Sequence, residues 1–479
     1  MPMKKRFNNI LLVNVPVSRG RYTVPDFPPV GLGYLSEALT VNGIEHDVLD
    51  MMLGYNENHL SSAIRNKKYD LVGFSLFTYH YKASYAIIAA IKKKFPSLKI
   101  IAGGPHVSTF REDVLKECPA IDYGVVMEGE EAIVRICDAS IECRGIPGLI
   151  YRDNGEIMSN AVSVLRELDA IHYPRYRKFE LKKYSSNISI ITSRGCPYQC
   201  IYCPVPRTIG EIFRCRSPRN IAEEIRYWYG IGYRRILVLD DNFTLIPKRV
   251  RELCDLLKSL KLEGLVLSCA NGIRADKTDY GLLKEMRDAG FNEIAFGVES
   301  ASNKVLSAIR KSEKIETIEQ RIKDACALDY KVVLFFIIGS PTETYDDFLE
   351  SVSLALRYPV YSTRFYNLIP FPYSQLFEWV KSNNLFVSLP EKYLSEASHH
   401  INEPLFSTPE FNLEKRKKAF AYAQEVEKTV KRRYVFNKTN GPKLFRYVVS
   451  FLYANDMINH LYHSNPVIRR IGLKLRRLI

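Results

Sequence analysis

The sequence lacks any stretch of some 18 uninterrupted apolar residues, the length a helix needs to cross a bilayer, so no segment is expected to span a membrane. No secretory signal opens it, and outside one short loop its ten cysteines follow no regular spacing. Cys118, Cys137, Cys143, Cys215, Cys254, Cys269 and Cys326 therefore read as ordinary, mostly buried thiols, and no disulfide plan is expected. These absences place the protein in a reducing compartment, with the cytoplasm as the expectation. What is present is apolar material for two or three cores: 479 residues, 46% of them hydrophobic, with a formal net charge of +15.

The remaining cysteines stand together in Cys196-Pro197-Tyr198-Gln199-Cys200-Ile201-Tyr202-Cys203. Three thiols in one loop can grip three corners of an iron–sulfur cube and leave the fourth iron open to a ligand that reacts. A structural zinc site is the other reading, and it needs a fourth ligand nearby. The nearest candidates, Cys215 and His172, lie outside usual zinc-ligand spacing.

Around this loop the chain alternates strands and helices. Ile10–Val15, Glu45–Asp50, Leu71–Ser75, Lys99–Gly104 and Ile121–Val126 read as strands, with helices over Gly31–Leu39 and Lys82–Phe95. This pattern predicts a doubly wound open sheet over residues 1–141, with ligands at the carboxyl ends of its strands. Residues 142–187 read as a linker with a small hairpin at Asp153-Asn154-Gly155. Over residues 188–389, strands near Ile188, Arg235, Leu265, Ile294, Val332 and Phe365 each end in a polar or glycine-rich phrase, a βα series whose chemistry collects on one rim. Residues 390–479 read as an irregular segment to Pro409, containing His399-His400, followed by a basic helical region.

The Cys-x3-Cys-x2-Cys loop, set in Thr192-Ser193-Arg194-Gly195-Cys196-Pro197, resembles the cluster loop of the radical S-adenosylmethionine enzymes. The phrases Pro28-Pro29-Val30-Gly31-Leu32-Gly33-Tyr34-Leu35, Leu49-Asp50, Gly103-Gly104-Pro105-His106 and Glu128-Gly129-Glu130-Glu131 are similar, in kind and order, to the cobalamin-binding-like domain that precedes one branch of that superfamily. The resemblance implies an α/β protein: a Rossmann-like cobalamin-binding domain, a partial (βα)6 TIM-type barrel and a mostly helical C-terminal region. It implies a [4Fe-4S] cluster on Cys196, Cys200 and Cys203, S-adenosylmethionine on the open iron, and cobalamin over the barrel. One electron then cleaves S-adenosylmethionine to a 5'-deoxyadenosyl radical. The Asp-x-His-x-x-Gly pattern that supplies a cobalt ligand in other cobalamin proteins is absent, as is common in this branch.

Carried onto this sequence, the resemblance gives Tyr202, Glu299, Ser300, Gly339 and Glu343 to S-adenosylmethionine, and Gly103, Gly104, His106, Glu128 and Gly129 to cobalamin. Asp240, Asp241 and Arg274 are candidate catalytic residues at strand ends. Each has a plainer reading as well: a capping aspartate, a tight Gly-Gly turn, an arginine in a salt bridge.

The resemblance points first to a cobalamin-dependent methyltransferase acting on an unactivated carbon of a small-molecule or lipid-like substrate, reduced by an external donor such as flavodoxin or ferredoxin. Cyclisation or rearrangement on the same architecture is the alternative. A transfer-RNA methylthiotransferase fits less well, because Cys118, Cys137 and Cys143 are badly placed for a second cluster and no RNA-binding module closes the chain. A corrinoid sensor without catalysis leaves the three-cysteine loop without a purpose. Bases at Lys415–Lys418, Lys431–Arg433 and Arg469–Arg477, interleaved with apolar residues such as Phe445, Tyr447, Val448, Phe451 and Leu452, suggest either peripheral contact with an anionic membrane or a helical cap with a solvated basic face.

Overall fold

The computed structural model describes residues 4–15, 25–396 and 403–455. Its first sheet is built on β1 (Ile10–Asn14), buried along its whole length as a strand covered on both faces must be. β2 (His46–Asp50) and β3 (Leu71–Ser75) pair with it in parallel, and β4 (Lys99–Gly103) and β5 (Tyr123–Val125) continue beyond β3. The two-residue period of the strands builds two cores. Leu11, Val13, Val72 and Ile100 pack against helices Glu57–Lys67 and Tyr81–Lys94, while Ile10, Leu12, Leu71 and Ile101 pack against helices Val30–Val41 and Glu130–Ile136. Each such fully buried aliphatic side chain contributes about 1.5–3 kcal/mol. The strand order 2-1-3-4-5 reverses direction between β1 and β3, which opens a crevice at the carboxyl ends.

Two expectations change here. The strand expected over Ile121–Val126 shortens to Tyr123–Val125, because the Asp122 carboxylate turns back to accept the Ile100 amide at 2.9 Å. The hairpin of β6 (Leu149–Asp153) and β7 (Glu156–Ser159) is no linker. β6 runs antiparallel to β5 and covers the edge that β5 would otherwise leave open, so the first sheet has seven strands and continues past residue 141 to Ser159.

In the second half, β8 (Asn187–Ile190) leads into a short antiparallel ribbon of β9 (Ser193–Arg194) and β10 (Arg214–Cys215). β11 (Arg235–Val238), β12 (Val266–Ile273), β13 (Phe291–Glu299), β14 (Lys331–Ile338) and β15 (Ser362–Asn367) then join β8 in sequential, all-parallel order, a six-stranded open barrel. Helix Leu413–Lys438 seals the β15 side. Phe420, Ala423, Val426 and Val430 enter the barrel core, and the Glu427 carboxylate accepts the edge amide of Phe365 at 2.7 Å. The segment expected to be irregular after Leu389 begins instead as helix Pro390–Glu396, anchored by buried Tyr393, whose hydroxyl donates to the Pro370 carbonyl at 2.5 Å. His399 and His400, and the bases and apolar residues from Ile468 to Leu478, lie outside the described residues.

The end of β8 is held by Arg216, whose amide donates to the Thr192 carbonyl and whose guanidinium donates to the Ile191 carbonyl, both at 2.9 Å. The same guanidinium pairs with Glu224, and both side chains are almost wholly buried. Replacing Arg216 with alanine leaves the Glu224 charge without its partner, so urea unfolding of the apoprotein should show a loss of about 3–5 kcal/mol.

Candidate active site

The β9–β10 ribbon clamps the base of the cysteine loop. Gly195, the first residue beyond β9, has φ +83°, and a Cβ there would lie 2.2 Å from the Ile212 carbonyl oxygen, so only glycine lets the loop close. The Cys196 amide donates to the Gly210 carbonyl and the Cys203 amide to the Cys200 carbonyl, each at 3.1 Å. All three cysteines are free and line one chamber. Among the described residues, no three His, Cys, Asp or Glu side chains converge where a single metal ion could sit. Thiols that face one chamber without converging suit a cube, which takes one thiolate per iron, better than zinc.

The chamber has a volume of about 420 Å3 at the carboxyl ends of the barrel strands. Strand alternation builds it: on β14, Leu334, Phe336 and Ile338 enter the core beneath the helices, while Phe335 and Ile337 line the chamber. On β13, Gly297 and Glu299 do so, and a register shift with φ +64° at Glu299 re-aims its carboxylate. The Lys311 ammonium lies 3.0 Å from that carboxylate and 3.7 Å from Glu313. Tyr202 also lines the chamber, and burial next to Glu299 pushes its phenol well above the ordinary value. Asn242, 1% exposed, lines it too, and neither polar atom of its side-chain amide has a partner in the protein. A buried amide left open at a chamber wall is a ligand contact waiting to be made.

Arg274 lines the chamber, but most of its donors are engaged. It pairs with Asp276 at 2.9 Å, donates to the Lys311 carbonyl at 3.1 Å and stacks over Tyr198, 3.6 Å from the ring centroid. These contacts hold the segment that presents Lys311.

A second cavity of about 450 Å3 opens at the carboxyl ends of β3, β4 and β5. Gly103, Gly104, Glu128 and Gly129 edge it. Gly104 has φ +97°, and a Cβ would meet the Leu76 carbonyl at 2.8 Å, so bare backbone faces the cavity here. Its far wall comes from the barrel: Ile191, Arg194, Leu239, Asp241 and Asn271. A largely apolar cavity edged by bare peptide backbone on one side and closed by the barrel on the other suits a ligand held between the two domains, as a corrinoid would be.

His106 is not part of that wall. It lies in an aromatic cluster, stacked on Tyr81 with ring centroids 4.6 Å apart and hydrogen-bonded to the Tyr85 hydroxyl at 2.8 Å, and burial pulls its pKa down to about 3. The Gly-Gly-Pro turn starts a short helix there and carries the ring into the core behind the strands. Ser300, Gly339 and Glu343 also lie outside the chamber wall. The Ser300 hydroxyl accepts the Ser302 amide, and Glu343 accepts the amides of Gly339 and Ser340 at 2.6 and 2.9 Å, closing the turn after β14. Gly339 is required there because a Cβ would strike Arg416.

Asp241 and Asn271 are common to both cavities. Asp240 is not in either wall. Its carboxylate accepts the Thr192 amide at 2.6 Å and the hydroxyls of Thr192 and Ser193 at 2.5 Å, so it fixes the approach to the cysteine loop. Asp241 opens onto the cavities yet has protein on most sides, and burial together with the Asp240 charge pushes it up to about 6. Lys311, Glu313, Asn242 and Asn271 are site residues that the sequence pattern does not single out. Of these Asn242 and Asn271 carry a signal, their places in the polar phrases that follow the strands at Arg235 and Leu265.

Two outcomes follow. Gly195→Ala should keep the fold and lose most of its iron on reconstitution, read as iron per chain. Asp241→Asn should stabilise the apoprotein at pH 7.5 by roughly 1 kcal/mol, the burial term being discounted for water in the cavity. The sign follows from the raised folded-state pKa: below about pH 4 both states hold the proton and the variant gains nothing, and the gain grows as pH rises to about 6, then levels off. Urea unfolding across that range checks it.

Comparison with known proteins agrees with these two cavities. Residues 190–355 match the Radical SAM superfamily and residues 20–136 match the B12 binding domain. A protein of Pyrococcus horikoshii named "Uncharacterized methyltransferase PH0819" is 31% identical over 76% of this chain and 80% of its own length. The anaerobic magnesium-protoporphyrin IX monomethyl ester cyclase of Cereibacter sphaeroides is 26% identical over 75% of this chain and 61% of its own. The cobalamin-dependent S-adenosylmethionine radical enzyme OxsB shares the fold, with a TM-score of 0.75 at 17% identity over 98% of this chain and 75% of that one. The chain belongs to the B12-binding-domain-containing radical S-adenosylmethionine family, as an enzyme whose cofactors are a [4Fe-4S] cluster, S-adenosylmethionine and cobalamin.

Proposed function

We propose that the protein carries out a cobalamin-dependent radical transformation of an apolar small-molecule or lipid-like substrate, and that the outcome is ring closure. The observation that carries this reading is Asp241, a carboxyl pushed up to about 6 at the place shared by the two cavities. Transfer of a methyl group to a carbon radical moves no proton. Ring closure with loss of two hydrogens sheds one as a hydrogen atom and one as a proton, and it needs a one-electron acceptor, a capacity the corrinoid or the cluster would supply. An ionised carboxylate with a pKa near neutrality is a suitable acceptor for that proton.

Reductive cleavage of S-adenosylmethionine supplies the hydrogen-abstracting radical, with the corrinoid as a one-carbon or electron carrier and flavodoxin or ferredoxin as the external donor. The chain's own residues bind and orient. Tyr202, Glu299 and Lys311 would hold S-adenosylmethionine beside Cys196, Cys200 and Cys203, with Asn242 offering its free amide to the same ligand or to substrate. Gly103, Gly104, Glu128 and Gly129 would border the corrinoid. Phe335, Ile337 and Leu368 keep the chamber floor dry. The cyclase relative adds support.

Methyl transfer is the second reading, favoured by the name carried by the 31% identical relative. It consumes a second S-adenosylmethionine to restore the methyl carrier and so releases S-adenosylhomocysteine. Reconstituted, cobalamin-loaded protein, given reductant, S-adenosylmethionine and an extract that supplies substrate, should release 5'-deoxyadenosine with little S-adenosylhomocysteine. Equal amounts of the two would overturn ring closure in favour of methylation.

A further inference from the structure

Helix Lys443–Tyr453 is turned inside out. Leu444, Phe445, Tyr447, Val448, Phe451 and Leu452 are 42–76% exposed, whereas buried Ser450 lies on the face toward the protein. At 100° per residue the six exposed side chains fall within an arc of about 160°. On the opposite side, the Arg446 guanidinium donates to the Phe436 carbonyl at 2.9 Å, and the Tyr453 hydroxyl lies 3.1 Å from that of Tyr361. A helix packed on a globular domain normally buries its apolar stripe. This one uses its polar side to dock on helix Leu413–Lys438 and leaves the apolar stripe outward.

We propose that this face docks on an anionic lipid surface. Charge selects that occupant. Between Leu413 and Tyr453 there are eleven lysines and arginines against three acidic residues, the larger part of the chain's +15. Bases border the apolar stripe: Lys443 stands at its edge on the helix itself, and Arg432 has its guanidinium 4.9 Å from the Phe451 ring centroid. Apolar side chains in the centre with bases at the rim match the acyl boundary and headgroups of an anionic bilayer. A second copy of the chain fits poorly, because it would bring like charges together, and one three-turn helix offers far less than the roughly 800 Å2 per partner of a standard interface. Among the described residues no helix is long and apolar enough to cross the membrane, so the contact is peripheral. The inference does not rest on the proposed reaction.

The test is sedimentation of the full-length protein with vesicles of phosphatidylglycerol and phosphatidylcholine, compared with phosphatidylcholine alone. Binding to the anionic vesicles only, weakened by added salt, is expected. Leu444→Ser/Val448→Ser should bind roughly tenfold less tightly with an unchanged melting temperature. No binding to anionic vesicles, undiminished binding of the double variant, or a dimer that the double variant converts to monomer would each overturn the proposal.

Discussion

Two buried guanidiniums, those of Arg194 and Arg214, tie the two halves of the molecule together. Arg194, the last residue of β9 and two before the first cysteine, reaches across to the first domain and pairs with Glu128 at 3.1 Å and Glu130 at 2.5 Å, while its plane lies over the Tyr34 ring. Arg214, its partner across the ribbon, takes Glu128 at 2.7 Å as well. Burying such charges is costly, and the cost is offset only when each finds its opposite. The arrangement therefore tolerates little rotation of one domain against the other. That rigidity has a chemical use. Glu128 borders the first-domain cavity and Arg194 leads into the cluster loop, so the pairing that joins the domains also fixes that cavity relative to the loop. Burial alone would raise the Glu130 carboxyl, but Arg194 holds it below its usual value, which favours the charged pair.

Strand periodicity makes most of this fold legible in the sequence alone. Leu71–Ser75 and Lys99–Gly103 fall where their apolar runs end, because a parallel strand buried on both faces leaves no polar position to blur its limits. The hairpin at Leu149–Ser159 is visible as a hairpin, yet its membership in the first sheet is not. Nothing local records that the β5 edge needs a partner. The same division holds in the site. Three cysteines and Gly195 announce themselves by spacing, since each is fixed by its immediate chain. Lys311 does not, because its function comes from meeting Glu299 across the rim, and that contact arises only once β13 has folded beside the segment that Arg274 holds. His106 shows the opposite error: a histidine after a glycine turn looks available, but the next turn of chain carries it into an aromatic core.

Asp240 and Asp241 show how neighbouring identical residues are assigned different work. Both follow β11, and the alternation of an extended chain sends them to opposite sides. Asp240 turns inward to three donors of Thr192 and Ser193, with Arg249 3.9 Å away, and its charge is fully compensated. Asp241 meets no such donor. Partial burial raises its carboxyl, and the repulsion of its neighbour's charge adds to the rise, on a side chain that opens onto both cavities. Burial is the larger of the two causes, and the donors that hold Asp240 keep its charge beside its neighbour. Because Asp240 also fixes the residues leading into the cysteine loop, the same pin that shapes the cluster site tunes the acid at the boundary of the two cavities.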